Sequence, residues 1–389
     1  MAIKRGLHRN VIDSKLILFF LYNLAFVLYM AGYIPRYVNL MLLAIFIIVN
    51  GGEVLKKSKG KIGKKMCFWK ETKLMMTSFL AFAIISFIIQ IIHFRIELSL
   101  ITYYLYLVTP LIAAFVWVNN VKKEKLFLYF YVFLARFILN FLLNNAGNIS
   151  INAISAITIR DSLSSAFESS DAHCFFILMI IFLYYERKTL SIICGLLCML
   201  CFKRLCFILT PIILICYKWI PRKEVNKTLI DVSTVVFIIS PLVVYYLTQN
   251  LISISSALGI DLDLFSSGRF SIINYVMNNI DQYNGYGSIS AYLDQYPYGF
   301  FIRITQMHCD VLQIFLETTI LGVAIYFYNL FRISRIDYTR YIIVLYFAIE
   351  MVFSHFVDVL AAWMILYMFC AMQDKTHFSQ ISSPGRKGG

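Results

Sequence analysis

Long apolar runs separated by short polar segments make up most of the chain between Lys15 and Met372. The runs are about 14 to 23 residues long, close to the roughly 20 residues that an α-helix needs to cross the hydrocarbon core of a bilayer. This pattern predicts an all-α, polytopic integral membrane protein with about twelve transmembrane helices. The predicted spans are 16–33, 36–50, 74–93, 98–118, 126–145, 173–185, 189–202, 205–219, 228–250, 308–330, 341–357 and 358–372.

The composition agrees with a membrane protein. Hydrophobic residues make up 60% of the chain and the mean hydropathy is +0.75. A formal net charge of +14 would suggest a nucleic-acid partner in a soluble protein, but here we interpret it as a topology signal and expect no nucleic acid. We interpret residues 1–389 as one transmembrane domain. Its first span has no small-residue cleavage site, so we expect a retained helix and not a signal peptide.

Most of the 35 Lys and Arg residues lie in every second loop. If the amino terminus is inside, the positive-inside rule places these loops and both termini in the cytoplasm. One kinked helix over 189–219 is the alternative to two short spans. It would turn the basic segments 218–227 and 332–340 outward, so the charge distribution favours two spans. The segment 146–172 and a large loop, 251–307, are then periplasmic.

A few cations break this distribution, because they lie on the predicted outer side or inside a span. They are Arg36, Arg95, Arg136, Arg160, Lys203, Arg204, Arg269 and Arg303. Arg36 and Arg95 lie in short turns, where a long side chain reaches the membrane interface, and we interpret them as interface residues. Arg136 lies near the middle of a span, where a charge is costly. We expect it to face either an internal partner such as Asn140 or a ligand.

Two basic motifs on the outer side suit an anion. Lys203 and Arg204 are adjacent cations in a tight turn between apolar stretches, so we expect either a bound anionic ligand or lipid headgroups beside them. In the large loop, Ser267 and Gly268 precede Arg269, and a guanidinium after a flexible turn can hold a phosphate through two parallel hydrogen bonds.

The large loop also carries acids and tyrosines, which suit the polar edges and apolar faces of sugar rings but occur equally in an ordinary packed loop. These residues are Asp261, Asp263, Asp281, Asp294, Tyr283, Tyr286, Tyr292, Tyr296 and Tyr298.

His308 opens the tenth predicted span, and a histidine there can act as a general base towards a hydroxyl. A lone histidine is usually only an interface residue; the arginines nearby in the sequence favour a functional role. Asp310, Gln313 and Glu317 follow it on one helical face, by their spacings of three and four. A further polar group near the eleventh span is interpreted as structural partners or part of a cavity. It consists of Glu350, His355 and Asp358.

Several kinds of chemistry have no support in the sequence. The nine cysteines lie mostly within predicted spans, where cysteine usually acts as a small apolar side chain, so we expect neither a disulfide nor a metal framework. We find no Walker loop, no His-rich cluster and no nucleotide-binding glycine motif, and therefore expect no cofactor. An inverted pair of broken spans, which marks many transporters, is also not evident.

The order of the outer motifs resembles that of the O-antigen polymerase (Wzy) and O-antigen ligase superfamily of bacterial polysaccharide assembly enzymes. The resemblance covers roughly Arg160 to Gly322. Its motifs are Arg160 in an outer loop, the pair Lys203-Arg204, the element Ser267-Gly268-Arg269, and the helix start His308-Cys309-Asp310-Val311-Leu312 followed by Gly322. Cys309 stands where the family usually has Asn, whereas His308 matches.

The resemblance implies an inner-membrane glycosyltransferase with an active site facing the periplasm. Its substrate would be an oligosaccharide linked by pyrophosphate to undecaprenol. Arg204 and Arg269 would bind the pyrophosphate, and His308 would take the proton of the acceptor hydroxyl in an inverting transfer that requires no metal or nucleotide. Further candidates for substrate binding are Arg160, Lys203, Arg136, Ser267, Gly268 and Asp310.

Polymerase and ligase share this chemistry and differ in the acceptor, which is another repeat unit for a polymerase and lipid A–core for a ligase. We favour the polymerase, because the size of the chain and its bias towards Ile, Phe, Tyr, Asn and Lys resemble O-antigen cluster proteins. A chain-length regulator would then be a further protein partner. The alternative from another class is a flippase that binds the same lipid-linked sugar without making a bond.

Overall fold

The computed structural model describes residues 13–58, 66–145, 169, 171–201, 203–280, 282–299, 304–357 and 359–381. Over these residues the chain is helical and contains no strand, apart from a single bridge between Tyr298 and Ile304. The predicted all-α class is therefore confirmed. Six helices in the described part of the chain are long and apolar enough to cross a membrane.

One helix coincides with each predicted span. These helices are α1 (Ser14–Met30), α2 (Arg36–Ser58), α3 (Trp69–Ile92), α4 (Ile101–Asn120), α5 (Lys123–Asn145), α6 (Asp171–Tyr184), α7 (Lys188–Leu200), α8 (Arg204–Cys216), α9 (Lys227–Gln249), α14 (Asp310–Ile333), α15 (Tyr338–Phe353) and α16 (Leu360–Ile381). The six of membrane-spanning length are α2, α3, α4 together with the 3-10 turn Leu98–Leu100 before it, α5, α9 and α14.

The region 189–219 forms two helices, so the alternative of one long kinked span is wrong. α7 ends at Leu200 and α8 begins at Arg204. The turn between them is tied to the start of α6, because the N–H of Ser169 donates to the carbonyl of Cys201 at 3.3 Å. Lys203 and Arg204 consequently lie at a helix junction, as the N-cap and the first residue of α8.

Polar side chains cap the N-termini of three helices. These N-termini lie at the end of the bundle that the charge distribution places in the cytoplasm. The side chain of Asp13 accepts from the N–H of Lys15 before α1, and that of Asn226 accepts from Thr228 before α9. Asp337 accepts from two amides at the start of α15. Such caps satisfy backbone donors that the first helical turn leaves without an intrahelical partner. We call this the inner end, and the opposite end the outer end.

The core lies around α6 and α16, which are buried on nearly every side. A helix that is apolar all round belongs in the interior of a bundle. α16 packs on α4, α5 and α6, and α14 packs on α3, α9 and α15. By contrast, α3 and α9 expose rows of large apolar side chains, for example Leu80, Phe87, Val235 and Ile239. We expect these rows to contact lipid.

The segment 251–307, predicted as a large loop, forms four short helices in its described residues, which are 251–280, 282–299 and 304–307. They are α10 (Leu251–Leu258), α11 (Leu262–Phe265), α12 (Arg269–Asn279) and α13 (Ser288–Gln295). This segment shares a second, smaller hydrophobic core with the start of α14, formed by Ile273, Val276, Ile289, Leu293, Met307, Cys309 and Leu312. Arg269 and His308 are therefore supported by a packed outer layer.

Two polar residues of α14 hold α13 in place. Both carboxylate oxygens of Glu317 accept backbone N–H groups, from Gly287 at 2.9 Å and Ile289 at 2.7 Å. Gln313 donates to the hydroxyl of Ser290 at 3.0 Å. The polar face predicted on α14 is therefore present. Glu317 and Gln313 on this face bind the start of α13, whose first backbone amides would otherwise be buried without acceptors.

Gly287 lets the backbone before α13 lie close to the Tyr103 ring. Gly287→Ala should therefore lower the free energy of unfolding by about 2 kcal/mol, within the range for an overpacked site. Its φ is +93°, and an added Cβ would lie 2.5 Å from a ring carbon of Tyr103. Gly259→Ala is the matched control, since φ is +64° there but no atom lies within 4 Å. It should cost about 1 kcal/mol, for backbone strain alone. Equal losses in thermal or denaturant unfolding would contradict the role of the Tyr103 contact.

Candidate active site

Arg204 is bonded directly to the turn that precedes Arg269. Its Nη1 donates to the carbonyl oxygen of Phe265 at 2.8 Å, and its Nη2 donates to Oγ of Ser267 at 3.0 Å. These two contacts span more than 60 residues of sequence and join the start of α8 to the start of α12. The structure thus brings together the Lys203-Arg204 pair and the Ser267-Gly268-Arg269 element.

The turn before α12 is shaped by its own residues. Ser267 and Gly268 both have positive φ, at 60° and 77°, which reverses the chain between α11 and α12. Glycine adopts this conformation without strain. Asp263 stabilises the reversal, because its side chain accepts from the N–H and hydroxyl of Ser271 in the first turn of α12. Ser267 and Gly268 were predicted to bind substrate; the structure gives them a part in orienting Arg204 and Arg269.

Both arginines occupy the first position of a helix. Arg204 begins α8, with Lys203 as its N-cap residue, and Arg269 begins α12. A helix N-terminus carries a partial positive charge and prefers an anion, so cationic side chains are unfavourable there by themselves. Two such starts lie side by side, with three cations between them. Both helix N-termini favour an anionic group at this place.

His308 lies in the segment before α14, half-buried, with a φ of +55°. Burial lowers the pKa of its imidazole from 6.5 to about 4, and positive charge on His355, Arg269 and Lys203 contributes in the same direction. At neutral pH the imidazole is therefore unprotonated. The charges that act on it include those of two outer cations, Arg269 and Lys203, so His308 lies within electrostatic range of both.

The lowered pKa of His308 predicts a specific acid sensitivity. The unfolded chain takes up this proton near pH 6.5, whereas the folded chain takes it up only near pH 4. His308 therefore contributes stability that is present above pH 6.5 and is lost as the pH falls towards 4. We expect the melting temperature of His308→Gln to fall less over this interval than that of the natural protein. Parallel curves of melting temperature against pH would contradict the lowered pKa.

Asp310 makes contacts that the sequence did not predict. One carboxylate oxygen accepts the N–H groups of Phe356 and Val357, at 2.6 and 2.7 Å, and the other lies 2.7 Å from Nδ1 of His355. Both side chains are almost fully buried, at 2% and 4% exposed. Asp310, predicted to bind substrate, is thus also the partner of a second histidine. Direct contact of Asp310 with a substrate stays a prediction.

A small cavity adjoins the Asp310–His355 pair. Its volume is about 10 Å³, room for about one water molecule. The wall is formed by residues of α4, α13, α14 and the turns before α13 and α16: Tyr103, Tyr286, Gly287, Ser290, Asp310, Gln313, Ile314, His355 and Val357.

The predicted polar group of Glu350, His355 and Asp358 is divided in the structure. His355 pairs with Asp310, Glu350 lies near His173, and Asp358 is outside the described residues.

Arg136 has partners inside the bundle. It is 4% exposed, its guanidinium carbon lies 3.5 Å from the centre of the Phe26 ring, and it donates to Oδ1 of Asn23 at 3.3 Å. The suggested partner, Asn140, instead donates to Asp171 at 2.5 Å. The expectation of an internal partner is met by α1, while a role in substrate binding stays a prediction.

Two further basic exceptions, Arg36 and Arg95, contact residues near them. Arg36 lies over the ring of Tyr106, at 5.0 Å, and Arg95 is 74% exposed and paired with Glu97 at 2.5 Å. Both contacts suit interface residues. Arg160 and Arg303 lie outside the described residues, as does Asp281 in the large outer segment.

A second polar cluster is buried where α6, α8 and α15 meet. His173, Cys206 and Glu350 offer one atom each within 4.8 Å of one another, close to the spacing of metal ligands. The hydroxyl of Tyr346 already occupies this space, at 2.5 Å from Nδ1 of His173 and 2.8 Å from Sγ of Cys206. A metal ion would have to displace that hydroxyl. Cys198, in α7, and Cys201, the residue after α7, have the spacing C-x-x-C and form no disulfide.

Comparisons with protein-family models, with curated proteins and with solved structures find no match to this chain. The residues of the site and their geometry therefore have to support any functional conclusion. They form a site at one end of the bundle with three clustered cations, an unprotonated histidine, and a second histidine paired with a buried carboxylate.

Proposed function

We propose that this chain is an O-antigen polymerase that joins undecaprenyl-pyrophosphate-linked oligosaccharide repeat units at the periplasmic face of a bacterial inner membrane. The observation that carries the proposal is the direct bonding of Arg204 to the turn that presents Arg269. It unites two arginines and Lys203 beside two helix N-termini. This concentration of positive charge suits a group with several negative charges, as in a pyrophosphate.

The same cations would supply the catalytic effect. Breaking the bond between the anomeric carbon and the pyrophosphate leaves negative charge on a phosphate oxygen. Fixed donors aimed at developing charge lower the barrier without reorganising during the reaction. The two guanidinium groups would accept this charge in place of a metal ion, and the bond to a pyrophosphate is already activated, so no nucleotide is needed.

Apolar side chains next to the cations suit a lipid-linked substrate. Ile252, Leu264 and Phe265 are 83%, 68% and 69% exposed on α10 and α11. Phe265 is also the residue whose carbonyl accepts from Arg204. An apolar patch this close to a cluster of cations suits an amphipathic molecule whose charged head and apolar chain are adjacent. An undecaprenyl pyrophosphate has this form.

The acceptor hydroxyl must lose a proton as the new glycosidic bond forms. His308 is the candidate base from the sequence, and it is unprotonated at neutral pH because its pKa is lowered to about 4. Attack on the face opposite the pyrophosphate would invert the anomeric centre. Membrane lipid surrounds the protein in this proposal, and a chain-length regulator is a further partner.

Complementation of a polymerase-deficient strain tests this function. A ladder of long polysaccharides on a gel is the expected result. Transfer of single core-linked units that depends on this protein would instead indicate a ligase. Restored export of the lipid-linked unit, without any new glycosidic bond, would indicate a flippase. His308→Ala and Arg269→Ala distinguish a flippase from a glycosyltransferase. A flippase should keep substantial transport when the candidate base is removed, whereas the enzyme should lose activity.

A further inference from the structure

Four tyrosines of the outer segment form one contiguous aromatic cluster. Tyr275 lies on α12, Tyr292 lies on α13, and Tyr296 and Tyr298 follow α13. The centre of the Tyr275 ring lies 5.2 Å from that of Tyr298 and 6.4 Å from that of Tyr292. The centres of the Tyr292 and Tyr296 rings are 5.2 Å apart. We call these four residues the tyrosine surface.

Backbone and core contacts hold the tyrosine surface in place. Tyr275 and Tyr292 pack on the smaller hydrophobic core of the outer segment. The hydroxyl of Tyr275 donates to the carbonyl of Tyr296 at 3.3 Å, and Tyr298 makes both backbone hydrogen bonds of the bridge to Ile304. Tyr296 is 57% exposed, and the other three side chains are half-buried. The surface therefore presents ordered aromatic rings to a ligand, which lowers the entropy cost of binding.

The ring faces are only partly used within the cluster. Neighbouring rings are tilted by 39–54° to one another, so they do not lie face to face. Sugar rings have an apolar face that packs on an aromatic ring, and hydroxyl groups at their edges that need hydrogen-bonding partners. The exposed side chains next to these tyrosines on α12 and α13 supply such partners. They are Asn274, Asn278, Asp294 and Gln295.

The charge of this part of the chain favours a glycan over the other ligands that bind aromatic surfaces. Between Arg269 and Arg303 the sequence contains no Lys or Arg. A nucleic acid or a second phosphate group would require cations. Tyrosines at a membrane interface are a further possibility, but amides and a carboxylate surround these rings in place of the apolar side chains that enter lipid. The tyrosine surface thus fits a ligand rich in hydroxyl groups.

The tyrosine surface lies on the helix that Arg269 begins. Tyr275 is six residues after Arg269, a separation of about 9 Å along the axis of an α-helix. A glycan whose pyrophosphate is bound at Arg269 has its first sugar beside that residue. Its following sugars can extend along α12 towards Tyr275.

We propose that the tyrosine surface binds the glycan of the lipid-linked substrate, at sugars beyond the one whose bond to the pyrophosphate breaks. The inference rests on the proposed function and adds a subsite to it. The tyrosines make no bond and take up no proton. They raise the affinity for the glycan and hold it between successive transfers, while the cations and His308 act at the reacting sugar.

The test compares Tyr296→Ala with Tyr246→Ala, with the full chain in lipid nanodiscs. Tyr246 is 63% exposed, much as Tyr296 is, but it lies on α9, a helix of membrane-spanning length. The probe is the lipid-linked repeat unit extracted from a polymerase-deficient strain. For Tyr296→Ala we expect KM to rise by about 3- to 10-fold, the size of one aromatic contact, with kcat little changed. The polysaccharide ladder should shift to shorter lengths.

Two variants control this comparison. Tyr296→Phe keeps the ring and should keep most of the affinity, whereas Tyr246→Ala should leave KM, kcat and the ladder unchanged. A natural KM and a natural ladder in Tyr296→Ala would overturn the proposal. An equal rise of KM in Tyr246→Ala would overturn it as well, because the effect would then follow from any exposed tyrosine.

Binding of the free glycan tests the tyrosine surface without the transfer reaction. The probe is the repeat-unit oligosaccharide released from its lipid by mild acid, observed by saturation-transfer NMR in the presence of the protein. We expect transfer signals with the natural protein and with Arg269→Ala, and weaker signals with Tyr296→Ala. No signal with the natural protein, or equal signals with the natural protein and Tyr296→Ala, would contradict the proposal.

A position in the membrane interface is tested by Tyr296→Trp. If lipids brominated in their acyl chains quench the added tryptophan fluorescence, the tyrosine surface lies in lipid and the glycan site is wrong. Fluorescence that the oligosaccharide changes and brominated lipid does not is the expected result.

The same experiments distinguish failure of this inference from failure of the proposed function. If the natural protein binds the oligosaccharide but forms no polysaccharide from the lipid-linked unit, the tyrosine surface remains a glycan site and the proposed function is wrong. If polysaccharide forms and Tyr296→Ala behaves as the natural protein does, the proposed function stands and the glycan subsite is wrong.

Discussion

Arg269→Ala is expected to lower the rate of polysaccharide formation by about 100- to 1000-fold, the effect of removing one preorganised donor from a developing negative charge. Arg269 begins α12, and its position is fixed by the reversed turn at Ser267 and Gly268 and by the contacts of Arg204 with that turn. The loss should appear mainly in kcat, since the charge on the leaving group grows in the transition state. Single repeat units should accumulate in cells.

Arg95→Ala is the matched control for charge. Arg95 is also an arginine on the predicted outer side, but it is 74% exposed and paired with Glu97. Its removal should leave the rate unchanged. Arg204→Lys refines the test, because lysine keeps the charge but cannot make the two parallel contacts to Phe265 and Ser267. Equal rates for Arg269→Ala and Arg95→Ala would contradict a specific role for the cation cluster.

Arg340→Ala is expected to lower the free energy of unfolding by about 3–5 kcal/mol, the usual cost of breaking a buried ion pair by removing one partner. Arg340 is fully buried near the inner end. It donates to Oε1 of Gln373 at 2.8 Å and to the carbonyls of Ile333 and Cys370 at 3.0 and 2.8 Å. It also pairs with Asp374 at 2.9 Å. Its loss would leave these buried acceptors without their donor and the Asp374 carboxylate, which is 13% exposed, without its partner.

Arg335→Ala is the control for this second effect. Arg335 lies only five residues earlier and pairs with Glu224 at 2.7 Å, but the two side chains are 44% and 62% exposed. Exposed pairs contribute about 0–1 kcal/mol, so this variant should unfold close to the natural protein. Denaturation of both variants in detergent micelles measures the difference. A similar, small loss in both would show that the Arg340 network adds little stability.

The sequence predicted the helices well, because crossing a membrane demands long apolar runs that are easy to recognise. Even the short pair α7 and α8 could be separated, since the basic segments 218–227 and 332–340 constrain the direction of the chain. The outer segment carries no comparable pattern of apolar residues. Its four short helices depend on a small shared core and on caps from α14, such as Glu317, that lie far away in sequence.

The candidate site was predicted in part. Lys203-Arg204 and Arg269 were identified because cations on the outer side are unexpected, and the structure joins them through Arg204. The pairing of Asp310 with His355 was missed. These residues were assigned to separate polar groups, because 45 positions separate them and no periodicity connects the start of α14 with the turn after α15. Only packing of the two helices reveals the pair.

Release of undecaprenyl pyrophosphate by the purified protein tests the central claim most directly. The protein would be reconstituted in lipid nanodiscs with the lipid-linked repeat unit, in EDTA and without nucleotide. The account predicts one undecaprenyl pyrophosphate released for each new glycosidic bond, with release about 100- to 1000-fold slower in Arg269→Ala and unchanged in Arg95→Ala. Binding of the lipid-linked unit without any release or bond formation would contradict the account and would favour a carrier.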